Sequence, residues 1–118
     1  MEHILAILLQ AQRTSVMWHW KVKSFSLHMA LGELYEKLGQ FADDLAEMYM
    51  GKYGDEFHIP LSDPNAFSEQ DPLEFIRQLE DTLKQLEGSF PQDGFLVNKY
   101  QELQGDVSRI KYKMENLR

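Results

Sequence analysis

Two histidines in this chain of 118 residues stand where side chains could do chemistry. His19 lies inside Trp18-His19-Trp20, and His28 follows it after Lys21, Lys23 and Ser24, with Tyr35 further on. Asp43 and Glu47 supply carboxylates at i,i+4 spacing. Imidazole and carboxylate together suit iron, zinc or manganese, so His19, His28, Asp43 and Glu47 form one candidate set, for iron or another divalent metal. His19 and His28 with Lys21, Lys23 and Ser24 form another, suited to a small anion beside the positive end of a helix. A histidine near an apolar face is also commonly a hydrogen-bonded packing residue. Cysteine is absent, which removes disulfides and thiolate chemistry. No nucleophile–base pair stands out, so catalysis is not expected.

These residues need helices to hold them. Hydrophobic residues make up 43% and charged residues 26%, the balance of a globular domain, and 118 residues suffice for one core. Four helical segments are expected, at about 2–22, 25–50, 71–87 and 93–117. The first turns Ile4, Leu8, Ala11, Ser15, Trp18 and Val22 inward. In the second, Leu27, Leu31, Leu34, Leu38, Phe41, Leu45 and Met48 alternate steps of three and four, a packed seam. Ser24 should cap it and Gly51 should end it. Asp71-Pro72-Leu73-Glu74 reads as an N-cap, a proline at N1 and a capping-box acid. Leu73, Ile76, Leu79, Leu83 and Leu86 then face inward. So do Leu96, Tyr100, Leu103, Val107, Ile110, Met114 and Leu117 of the last helix.

Short links should make the first two helices, and the last two, antiparallel hairpins. The stretch 51–70, with Gly51, Gly54, Pro60 and Pro64, has no helical period. Extended, it reaches about 66 Å, against about 39 Å for the second helix. It can therefore recross the bundle, which makes the expected fold an all-α four-helix bundle with ferritin-like connectivity. An up-down-up-down bundle with a long third loop is the alternative.

The second helix has a further stripe, His28, Gly32, Tyr35, Gly39, Ala42, Ala46 and Tyr49. Interior glycine costs about 1 kcal/mol against alanine, so two on one face imply close approach by another helix. That helix belongs either to the same chain or to a second copy. In an antiparallel pair about Gly39, His28 of one chain would approach Asp43 and Glu47 of the other, and Lys52 and Tyr53 would approach Lys23, Ser24 and His28. A homodimer or higher oligomer is expected on this reading.

The run His19-Trp20-Lys21-Val22-Lys23, with His28, Asp43 and Glu47, resembles the Dps-like mini-ferritins of starved bacteria. That resemblance implies an intersubunit iron centre with ferroxidase activity. Gly32 stands where that family has an aspartate, the loop between the histidines is shorter, and its basic N-terminal extension is missing. His19-Trp20…Lys23-Ser24, His28, Tyr35 and Gly51-Lys52-Tyr53-Gly54 are also similar to a group of small tailed-phage proteins, which implies a phage source and a ferritin-like fold but no activity.

Net charge is −7 without a basic stripe, which disfavours nucleic acid as a partner. No apolar run approaches the length of a membrane span, and the N-terminus lacks a signal-peptide pattern, so the cytoplasm is the expected location. Three functions remain. The first is an oligomeric, non-catalytic protein that sequesters a small anionic, nucleotide-like ligand at His19, Lys21, Lys23, Ser24, His28, Tyr35, Lys52 and Tyr53. The second is a degenerate metal-binding mini-ferritin, and the third a protein-binding bundle.

Overall fold

A few side chains decide where each helix starts and stops. A computed structural model describes residues 1–54 and 67–118. It contains α1 (Glu2–Lys21), α2 (Phe25–Tyr53), α3 (Pro72–Gln85) and α4 (Gly94–Asn116), with a 3-10 turn at Glu87–Ser89. Ser24 caps α2, its hydroxyl accepting the Leu27 amide at 3.3 Å. Asp71 caps α3 by accepting the Leu73 amide at 2.9 Å, and Pro72 is the first helical residue. The reciprocal bond of a capping box does not form. The Asp71 amide donates instead to the Ser68 hydroxyl at 3.3 Å, and Glu74 accepts from that same hydroxyl.

Helix α2 runs three residues past its expected end. Gly51 is helical, and the chain leaves the helix at Gly54, whose φ of 67° is left-handed. Its amide donates to the Met50 carbonyl at 2.7 Å. Only glycine adopts that conformation without a Cβ penalty, so Gly54 and not Gly51 is the terminator. Of the crossover expected over 51–70, residues 51–53 are helix, and 55–66 with Pro60 and Pro64 lie outside the described residues.

The seams pack as their spacing dictates. Leu31, Leu34, Leu38 and Leu45 of α2 are wholly buried, as are Ile76 and Leu79 of α3 and Leu96, Ile110 and Met114 of α4. Met48, Val22 and Leu86 are only partly buried. Leu117 is a correction: it caps α4 and is 56% exposed. Phe75, four residues before Leu79 on α3, joins the core, as do Phe67 and Phe90, which no helical period marks.

Contacts between helix ends fix the directions. The Trp18 indole donates to the Ser68 carbonyl at 3.0 Å, which places the entry to α3 at the far end of α1. Tyr53, at the end of α2, donates to Asp93 at the start of α4. Along their length, α2 and α4 pair Lys37 with Asp106 at 3.4 Å and Lys113 with Glu33 at 3.0 Å. Helices α3 and α4 pair Arg77 with Glu115 at 2.8 Å and Lys111 with Glu80 at 2.7 Å. So α1 and α2 are antiparallel, as are α3 and α4, while α2 and α3 run the same way. No helix among the described residues is long and apolar enough to cross a membrane.

The two glycines at the end of α2 should respond oppositely to alanine. Gly51→Ala, in open space, gains up to about 1 kcal/mol from helix propensity. Gly54→Ala forces alanine into a left-handed conformation and loses about 1–2 kcal/mol. Urea unfolding of both variants reads the difference; equal effects would mean that α2 does not stop at Gly54.

Candidate functional site

The link Val22–Ser24 is three residues long and folds α1 back so tightly that the two histidines meet. Their rings stack with centroids 3.7 Å apart and planes 17° from parallel. His19 Nδ1 lies 2.7 Å from the His28 carbonyl oxygen, and His28 Nδ1 lies 2.7 Å from the His19 carbonyl oxygen. A carbonyl can only accept, so each Nδ1 carries a proton and donates it across the hairpin. In the neutral rings Nε2 alone remains, as an acceptor or a metal ligand. Tyr35 meets the His19 ring edge-on at 5.3 Å. The histidines thus form a clamp that closes the α1–α2 turn.

The small-residue stripe serves this clamp. A Cβ on Gly32 would sit 3.1 Å from His19 Cε1 and 3.3 Å from its Nδ1. A Cβ on Gly39 would sit 2.5 Å from the Gln12 side-chain nitrogen. Side chains of α1 in the same chain therefore cover both glycines, which give no support for a second copy. An aspartate at position 32 would require the His19 ring, which covers the glycine, to shift by a few tenths of an ångström.

The other candidate side chains have roles of their own. Lys21 lies over the Trp18 ring, 5.2 Å from its centroid. The Ser24 hydroxyl caps α2 and bonds Ser26 at 3.0 Å. Lys52 and Tyr53 lie at the opposite end of α2, both on Asp93, with Lys52 at 3.8 Å. The hydrogen bond to Asp93, then partial burial, raises the Tyr53 phenol above its ordinary pKa. Lys23 is exposed and makes no ion pair among the described residues. Asp43 and Glu47 are exposed on α2, about 22 and 28 Å along the helix from His28 at 1.5 Å per residue. No group of three or more His, Cys, Asp or Glu among the described residues is placed to hold a metal ion. One chain therefore does not complete the metal set His19, His28, Asp43 and Glu47.

A groove of about 610 Å³ opens beside the clamp. Its lining includes His19 from α1, Phe25, Met29, Gly32, Glu33, Tyr35 and Glu36 from α2, and Lys113 and Leu117 from the C-terminal end of the chain. Four large apolar side chains are exposed at this end of the bundle: Trp20 at 76%, Phe25 at 75%, Met29 at 56% and Leu117 at 56%. Of the groove residues, the sequence pattern singled out His19, Gly32 and Tyr35. Phe25 and Met29 were legible in principle, as apolar residues lying off the leucine seam. Glu33 and Lys113 join the site only through the packing of α4 on α2.

The chain belongs to a family of unknown function, DUF5856. The family model matches residues 19–114, starting at the first clamp histidine and spanning α2, α3 and nearly all of α4. No curated protein and no solved structure matches the chain.

The clamp should behave as one unit. His19→Ala and His28→Ala each remove one donor and the stack, and each costs about 1–2 kcal/mol. The double variant should cost less than their sum, with a coupling of about 1 kcal/mol in a double-mutant cycle. Strict additivity would show that the rings do not interact. The glycines offer a second check. Gly39→Ala should be neutral or stabilising, because the Gln12 amide can swing away, whereas Gly32→Ala should destabilise by about 1 kcal/mol because the His19 ring is pinned. Thermal melts of the two variants would decide it.

Proposed function

We propose that this chain is a non-catalytic protein-binding module, a ferritin-like bundle whose working surface is the groove beside the α1–α2 turn. The exposed apolar side chains Phe25, Met29 and Leu117 lining that groove, with exposed Trp20 at the same end of the bundle, carry the reading. Large apolar side chains gathered at one place on a charged surface mark contact with another molecule. The groove is open and mainly apolar, which suits an inserted side chain better than an enclosed small molecule. Most of the side chains that would greet a small ligand are committed elsewhere: His19 and His28 to each other, Ser24 to its helix, Lys21 to Trp18, and Lys52 and Tyr53 to Asp93. The ferritin-like assignment draws on the parallel course of α2 and α3 between antiparallel neighbours.

A second reading keeps a small anionic, nucleotide-like ligand, sequestered by an oligomer of the chain. It is favoured by Lys23, which is unpaired among the described residues and adjoins Phe25 and Ser26 of the groove.

A photo-crosslinking residue separates the two. Placed at Met29, it should give a discrete protein adduct in a host lysate that the same residue at Lys84 on α3 does not give. The Phe25→Ser/Met29→Ser variant should lose the adduct while keeping its melting temperature within about 2 °C, since both side chains are exposed. No adduct at Met29, together with a nucleotide-induced rise in melting temperature that Lys23→Ala abolishes, would replace this reading with the second.

A further inference from the structure

Phe25 and Met29 belong to a longer pattern on the outer face of α2. Phe25, Met29, Glu36, Asp43, Glu47 and Met50 fall within about 60° of one another at 100° per residue. All six are exposed. They form a stripe about 38 Å long, apolar at both ends and acidic between. Glu36, Asp43 and Glu47 make no ion pair among the described residues. The lysines of α2 and the cations near the end of α4 are paired elsewhere: Lys37 with Asp106, Lys52 with Asp93, and Lys113 and Arg109 with Glu33. Nothing described neutralises the stripe from within.

From this charge pattern we infer that the partner is a basic amphipathic helix of another protein, laid along the outer face of α2 with an apolar side chain in the groove at Phe25 and Met29. The inference rests on the protein-binding reading above and names the chemistry of its partner. A helix in a groove is recognised by apolar anchors at helical spacing, and lysines or arginines between them meet the three carboxylates. A second copy of this chain fits poorly, because an antiparallel pair about Gly39 through this face sets Glu36 of each copy close to Asp43 of the other. Nucleic acid is repelled by the same carboxylates.

The test uses the full chain and a fluorescent model peptide in which leucine and lysine alternate at helical spacing. Binding should weaken steadily with salt. Both Phe25→Ser/Met29→Ser and Glu36→Gln/Asp43→Gln/Glu47→Gln should weaken it by about tenfold or more. A control with the same change in charge on other faces, Asp81→Asn/Glu87→Gln/Glu102→Gln, should leave it unchanged. Equal loss in that control would overturn the inference, because net charge alone would then attract the peptide. Sedimentation equilibrium showing a dimer that Phe25→Ser/Met29→Ser abolishes would overturn it in favour of a second copy. A leucine–glutamate peptide that binds as well as the leucine–lysine one would overturn the basic partner and leave the docking surface standing. Failure of both peptides, with no adduct at Met29, would overturn both.

Discussion

Everything at the working end of the bundle depends on how closely α1 can approach α2. Three link residues leave no slack, so the helices must touch almost at the turn. There the His19 carbonyl, in the last turn of α1, has no amide of its own helix to accept from, while the His28 carbonyl, in the first turn of α2, faces it across the hairpin. The imidazoles solve this by exchanging bonds, each ring reaching over to the other residue's carbonyl. Stacked rings need room, and Gly32 supplies it by having no side chain. With α1 held in place, Trp18 reaches Ser68 and fixes where α3 enters. The groove is the space left over when α4 arrives against the opposite flank of α2.

This changes what the pair of histidines means. Isolated in sequence, they look like ligands. In the fold they are first a fastening, and only one nitrogen of each ring is left for anything else. The His19 carbonyl would lose its partner without the His28 ring, so that ring serves the hairpin whether or not anything binds to it.

Much of this was legible. The unbroken three–four alternation from Leu27 to Leu45 could pack only as a helix, and Ser24, Asp71 and Pro72 marked starts by their own chemistry. Helix directions followed from link length, and the ion pairs agree with them. The harder features were those decided across helices. Gly51 and Gly54 are the same residue type three apart, and only the local hydrogen bonding tells which one terminates α2. The stripe with Gly32 and Gly39 correctly announced a close neighbour but not which one, because sequence spacing gives the width of the space and not its occupant. The core aromatics Phe67 and Phe90 lie outside helices and carry no periodic signal. Glu33 and Lys113 are 80 residues apart and share the groove only because α4 returns beside α2.

The other end of the bundle is fastened differently. Asp93 occupies the N-cap position of α4, yet its side chain accepts from Tyr53 and faces Lys52, and none of the helix amides is bonded to it. The first amides of α4 are therefore without the side-chain acceptor that normally protects them. What Asp93 withholds from its own helix it gives to the last turn of α2. Fraying of either terminus removes a partner from the other, so the two helix ends open together as one small cooperative unit, below the global stability of a bundle whose opposite end is clamped.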